Sequence, residues 1–567
     1  MIINMKEDIL KAMREQYPDN PVFEESEERW NRDKNVDSKF MNKDEVESLL
    51  GLYELEENKK QIEDRRQARK LRSLLKLMSG SAKKIVNLQD IAEALKMYMQ
   101  DLPRHWLFEE DTLAEALVPY FINEIQYHAA TRQGSEAYVS LKGEAMYRGG
   151  RTTLNRSIRR ENLGAKGCSA SELLDYLNLF PENDELVAEH KAEVEKYMDM
   201  VNETGLQLVG RGRCEVREDR WSNRSVSLDK GGIISKLVVD DQEERKDKAS
   251  SDVVSTDLWS VKLGSDGEEK DVHKLPIHPY MRAFSLKMHE FVNIHVKNVD
   301  KYIYEEGLDD KLVLADDKRE LINLLVSSGG DDSRDIVQGK SGGVIIITSG
   351  PPGTGKTLTS EVFSEKVKRP LYVVQCSQLG TNSDKLEEKL NVVLERATRW
   401  NAVLLIDEAD VYIHERGDNI HQNAVVGVFL RLLEYYSGVL FLTTNRECVI
   451  DDAIMSRAIA HIRYTMPEDE EREALWSILS EQYGTPFEAE MCKELAMTFR
   501  GISGRSVKQL IRLSKALSVS RGEELTIETI VWVARFQPIE TNGTEEITLR
   551  DGRKFPVMKT RSNQDDV

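Results

Sequence analysis

The feature that most constrains this chain is a buried-strand pattern that runs straight into a glycine-rich turn. Val344 to Thr348, VIIIT, is followed by Gly350-Pro-Pro-Gly-Thr-Gly-Lys-Thr357, which fits G-x-x-x-x-G-K-[ST] at a strand-to-helix junction. Glycines let successive backbone N–H groups curve around an anion, and the helix that follows aims the positive end of its dipole at the same point. The spacing therefore predicts a phosphate cradle built from Gly350, Pro351, Pro352, Gly353, Thr354, Gly355, Lys356, Thr357 and Leu358. Lys356 adds a full charge near the β and γ phosphates, and Thr357 is placed to ligate Mg²⁺.

About fifty residues later, Val403-Leu-Leu-Ile-Asp407-Glu408-Ala-Asp410 is an apolar strand ending in carboxylates, as expected of a buried parallel strand with functional residues at its C-terminal edge. Asp407 is the second expected Mg²⁺ residue, and Glu408 is placed to orient and polarise an attacking water. Asp410 reads as a helix cap. A third strand, GVLFLTTN at 438–445, ends in Asn445, a neutral group suited to positioning that water or sensing the γ-phosphate. Downstream, DDAIMSRAIAHIRY carries Arg457 at the end of a short helix, and Arg457 is preferred over Arg446 and Arg463 as an arginine reaching a neighbouring subunit's nucleotide. In GISGRSVKQLIRLSKAL, Arg505 stands at a helix start, from which a small helical lid would reach the nucleotide.

In this order, GPPGTGKT, LLIDEAD, LTTN, DDAIMSR and GISGR resemble the AAA+ superfamily over about 240 residues. The resemblance implies a five-stranded parallel sheet in the order 5-1-4-3-2 between helices, a helical lid, and ATP with Mg²⁺ held at subunit boundaries of a homo-oligomeric ring, usually a hexamer. It also implies an ATP hydrolase in which Lys356, Glu408, Asn445, Arg457 and Arg505 act on the nucleotide. Within the superfamily the chain is similar to poorly characterised fungal and bacterial AAA ATPases, and its SR and SGR motifs resemble a mitochondrial inner-membrane AAA group. One departure is clear: where protein-threading members carry an aromatic, an aliphatic and a glycine, this chain has Gln378-Leu379-Gly380-Thr381. Tyr412 and His414 are alternative pore-lining residues, although ordinary loop roles fit them better.

Outside the motifs, the expected class is multi-domain α/β: a mainly helical N-terminal domain over 1–204, a β-rich domain over 205–300, the large P-loop subdomain over 301–468, a helical lid over 469–537, and a polar tail over 538–567. The helical reading rests on Leu71, Leu74, Leu75 and Met78 at i, i+3, i+4, i+7 spacing and on periodic stretches through IAEALKMYMQ and TLAEALVPYFINEIQYHAA. Short alternating runs such as LQLVGRGRCEV, GGIISKLVVDD and FVNIHVKNV mark the β-rich part, with 241–252 a polar loop.

A net charge of −20 argues against a general nucleic-acid coat. Two basic features remain as candidate phosphate grips, Lys59 to Lys76 and Arg148, Arg151, Arg156, Arg159 and Arg160, although charge runs are more often solvated faces. Five cysteines without a C-x-x-C pair indicate neither a zinc site nor a disulfide framework. With no signal peptide or membrane span in the pattern, the expected location is cytoplasmic. The expected function is ATP-driven remodelling of a protein partner; the alternatives are a nucleic-acid-associated motor or switch, in replication, mobile-element or defence systems, and an ATP-gated scaffold.

Overall fold

The structure is a computed structural model that describes residues 2–18, 20, 33–37, 41–53, 71, 84–130, 135–147, 150–164, 167–217, 223–229, 235–240, 275–308, 312–327, 343–380, 383–417, 419–445, 450–537, 546–548 and 554–556. Most of the tail from 538 on, most of the 59–76 stretch with Leu74 and Leu75, Met78, the 241–252 loop, and Arg148, Thr381 and Arg446 lie outside the described residues.

Three large sheets organise the described residues, beside two two-stranded ones. The last of the large ones along the chain contains five parallel strands, β1 (Val344–Ser349), β2 (Leu371–Gln375), β3 (Val403–Asp407), β4 (Val439–Thr444) and β5 (Ala460–Arg463). They lie in the order β5-β1-β4-β3-β2, as the superfamily resemblance implies. Every residue of β1 and β4 is buried, which explains why both read as continuous apolar runs rather than alternating ones. The helices Lys356–Lys366, Ser383–Arg399 and Ile420–Leu433 accompany the sheet. Pairing of Ser349 with Thr444, and of Gln375 with Asp407, brings the C-terminal strand ends to one edge.

Among the described residues four helices follow β5, Asp469–Gln482, Ala489–Thr498, Gly504–Arg521 and Ile527–Ala534. Their core is separate from that of the sheet and centres on Trp476, Phe499, Leu510 and Ile530. Ser503 caps the third helix by accepting from the Ser506 amide, and Gly522 closes it in the left-handed conformation at φ 67°.

Seven antiparallel strands between Gln207 and Lys301 form a second sheet. The third corrects the expectation of a mainly helical N-terminal domain: Trp106–Asp111, Ala116–His128, Tyr138–Tyr147, Gly150–Ile158, Leu179–Pro181 and Ile277–His278 make a six-stranded sheet. TLAEALVPYFINEIQYHAA imitates a helical period, yet residues 116–128 are extended and pair on both sides. Pro119 inside that stretch has no N–H to give a helix, and the Val, Tyr, Phe and Ile content suits a pleated surface. Helices Leu88–Gln100, Ala170–Tyr176 and Asp184–Val201 do form. The segment from Ile277 to Ser285 leaves the six-stranded sheet at His278 and enters the seven-stranded one at Tyr280. One continuous piece of chain thus belongs to both sheets.

Candidate functional site: a phosphate cradle facing two carboxylates

The glycine-rich turn is held in shape by close approach. Gly350 sits at φ 141°, where a Cβ would lie 2.1 Å from the carbonyl oxygen of Tyr464, and Gly353 sits at φ 78°, where one would lie 2.8 Å from Ser503 Oγ and 2.9 Å from the Arg505 Cβ. No side chain fits at either position. Gly355 precedes the helix Lys356–Lys366 in the left-handed conformation, at φ 99°. Lys356 is buried beneath the turn, with Nζ donating to the carbonyls of Gly350 at 2.8 Å and Pro351 at 2.6 Å. Burial lowers its ammonium to about 8; Asp407 opposes that shift and Arg505 adds to it.

Thr357 Oγ1 lies 3.3 Å from Asp407 Oδ1, so the two residues expected at the metal meet. A hydroxyl and a carboxylate are oxygen donors of the kind a hard divalent cation takes. Glu408 follows immediately, with its side chain exposed and its backbone at φ 55°, a conformation costly for a residue bearing a Cβ. Asn445 is exposed just past β4. Arg505 is the second residue of the lid's third helix, and its amide faces the Gly353 carbonyl at 3.4 Å.

Arg457 is placed differently. It follows the helix Asp452–Met455 and engages groups of its own chain, donating to the Ala453 carbonyl at 3.0 Å and pairing with Glu434 at 3.6 Å. Asp410 is the first residue of a short helix rather than its cap, and its carboxylate accepts from Thr444 Oγ1.

Residues 346–466 match the AAA family, described as the ATPase family associated with various cellular activities. This chain carries an AAA+ superfamily ATPase module. Spastin from Drosophila willistoni is 26% identical over 196 residues, covering 33% of this chain and 25% of that protein. A putative 26S proteasome regulatory subunit homolog from Methanocaldococcus jannaschii is 28% identical over 173 residues, covering 29% of this chain and 46% of that protein. The matches thus span a quarter to under half the length of these curated relatives. A chain of the E. coli MS115-1 HORMA:CdnC:Trip13 complex is 17% identical, covering 40% of this chain and 88% of that one at a TM-score of 0.33.

The AAA+ site also contains residues that the motif reading did not single out. Thr443, on β4, donates its hydroxyl hydrogen to Asp407 Oδ1 and accepts the Glu408 amide at 3.0 Å. Cys376 Sγ lies 2.8 Å from the Glu408 carbonyl, and burial, with Asp410, Glu408 and Asp407 nearby, pushes the thiol up to about 12. Tyr464 donates to Thr359 Oγ1 at 2.9 Å. The only sequence signal for Thr443 was its position two residues before Asn445 on a buried strand.

Two alternatives lose ground. Tyr412 is fully buried, and its hydroxyl donates to the Gly380 carbonyl at 2.8 Å with the Cys376 carbonyl also in reach at 3.1 Å; it anchors the loop instead of lining a pore. In the arginine group, Arg151 pairs with Glu144 at 3.3 Å and Arg156 pairs with Glu109, so two candidate phosphate grips already face carboxylates. Among the described residues no helix is long and apolar enough to cross a membrane.

Proposed function

We propose that the chain hydrolyses ATP with Mg²⁺ and uses the cycle to remodel a protein partner from within a homo-oligomeric ring. The observation that carries the reading is the meeting of Thr357 with Asp407, 3.3 Å apart, directly beside Glu408 and across from the Lys356 turn. The backbone amides of Gly353 to Thr357 and the Lys356 ammonium bind the phosphates, and Thr357 and Asp407 hold the cation, which when bound screens the charge of the phosphate oxygens. Glu408 orients the water that attacks the γ-phosphorus. Asn445 lies at the same sheet edge and positions that water. Arg505 brings the lid to the phosphates, so hydrolysis changes how the lid sits on the cradle.

Arg457 is the arginine assigned to a neighbouring subunit's nucleotide. Its pairing with Glu434 in one chain would give way to a phosphate at a ring interface, where such a group speeds hydrolysis by about 10³ to 10⁵. A protein partner is supported by the similarity to the putative 26S proteasome regulatory subunit homolog. Among the described residues no side-chain geometry favours a nucleic-acid partner over it.

Lys356→Ala and Glu408→Gln test the reading together. We expect the first to abolish ATP binding by a fluorescent nucleotide assay, and the second to bind ATP yet lose turnover by at least tenfold, with larger assemblies retained on size exclusion. A Glu408→Gln protein that hydrolyses ATP at the parental rate would remove the basis for the assignment.

A further inference from the structure

Glu408 stands on left-handed backbone, at φ 55°, in the middle of the site. Its peptide occupies a region that residues with a Cβ leave unless something holds them. Its amide donates to Thr443 Oγ1 at 3.0 Å and its carbonyl lies 2.8 Å from Cys376 Sγ. The next amide, that of Ala409, donates to the Thr443 carbonyl at 2.8 Å. The Thr443 hydroxyl has one hydrogen to give, and gives it to Asp407 Oδ1. That same carboxylate oxygen also faces Thr357 Oγ1 at 3.3 Å.

A single hydroxyl, 2% exposed as part of its residue, therefore links the carboxylate of one functional residue to the backbone of the next. We propose that Thr443 is a positioning residue of the hydrolytic site, setting through its hydroxyl both the orientation of the Asp407 carboxylate and the left-handed turn that projects Glu408 towards solvent. This rests on the ATPase reading above. Register explains why β4 supplies the group: Ile406 pairs with Leu442, so Thr443 lies just past the end of the β3–β4 pairing, level with the two carboxylates.

Two features separate this role from simple packing. Valine has the volume of threonine and lacks the hydroxyl, whereas serine keeps the hydroxyl and loses a methyl group. A packing role predicts that valine is the milder change; a positioning role predicts the reverse.

The test uses the full chain as Thr443→Val and Thr443→Ser beside the parent, with ATP affinity measured in EDTA, Mg²⁺ dependence of turnover, and kcat. We expect Thr443→Val to bind ATP in EDTA within about threefold of the parent, to need several-fold more Mg²⁺ for half-maximal rate, and to lose kcat by about tenfold or more, since the group acts on the chemical step rather than on ground-state binding. Thr443→Ser should keep kcat within about threefold. Should the valine protein fail to bind nucleotide at all, Thr443→Ala takes its place with the same expectations. Parental kcat and Mg²⁺ dependence in the hydroxyl-free variant, or a serine variant as impaired as the valine one, would overturn the positioning role alone. A parent that binds ATP without turning it over would overturn the hydrolase reading and this inference with it.

Discussion

The seven-stranded sheet meets its two neighbours through different chemistry. Towards the nucleotide-binding sheet the junction resembles a domain interior: Phe284 stands with Trp400 and Tyr372 at ring distances of 5.0 and 5.6 Å, within one apolar cluster that includes Val238, Val374 and Leu404. Backbone approach is close enough that a Cβ on Gly205 would lie 2.7 Å from the Trp400 carbonyl oxygen. Two buried carboxylates fasten this face. Asp240 accepts from Arg399 Nε at 3.0 Å and from Trp400 Nε1 at 2.8 Å, and Glu365, near the end of the helix that starts at Lys356, accepts from Lys236 and Tyr302, each at 2.7 Å.

Towards the six-stranded sheet the apolar contact is small, a cluster of Ala114, Ala116 and Tyr280, and the polar groups are imidazoles and a phenol. His278 Nε2 donates to the Pro119 carbonyl at 2.8 Å, the Tyr280 hydroxyl donates to Asp111, and His295 and His190 lie nearby. The contrast teaches that the seven-stranded sheet is a structural extension of the nucleotide-binding body. The N-terminal sheet joins it through buried imidazoles that burial keeps neutral near pH 7.

The largest expected effect that could break this comparison is Asp240→Ala. It leaves Arg399 and the Trp400 indole without their buried acceptor, and we expect a loss of about 3–5 kcal/mol in chemical denaturation, read as an earlier transition of the nucleotide-binding body. A loss below about 1 kcal/mol would mean that the apolar cluster alone makes the junction.

Acid should act on the opposite face. Burial lowers His190 and His278 to about 4 and His295 to about 3, from an ordinary value of 6.5. Because the folded values are depressed, the unfolded chain takes up protons that the folded one refuses; the stability is full above about pH 6.5 and falls as pH drops towards 4. Each imidazole contributes a slope of about 1.4 kcal/mol per pH unit in that window. His278→Phe should remove one such slope in denaturation at stepped pH, and an unchanged slope would show that the junction is not the acid-sensitive part.

A smaller change, about 1–2 kcal/mol, is expected from Glu365→Gln, since an amide keeps the shape but weakens the bonds from Lys236 and Tyr302, and Lys236 is already partly exposed. Tyr280→Phe should cost least, about 1 kcal/mol, because Asp111 keeps the amides of Leu113 and Ala114. A Tyr280→Phe effect exceeding that of Asp240→Ala would invert the ranking of the two faces.

Much of the nucleotide module was legible in the sequence because its signals are local. A strand buried on both sides must be apolar throughout, a turn that wraps phosphate must be glycine-rich, and a helix must start where the turn ends; Gly350 to Thr357, Asp407, Glu408 and the start of the lid helix at Gly504 all follow from such short-range rules. The stretch 116–128 failed the same approach because its apolar spacing fits a helix as well as a strand, and only its two neighbouring strands decide between them.

What the sequence alone determined is which residues would stand at the C-terminal edge of the parallel sheet. The tertiary structure decided which of them touch: that Thr443 bridges Asp407 and Glu408, that Arg457 turns to Glu434, that Tyr412 is an anchor, and that Asp240 closes on Arg399 and Trp400. Those contacts join residues tens to more than a hundred positions apart, so they exist only once strand order and register have brought separate segments into hydrogen-bonding range.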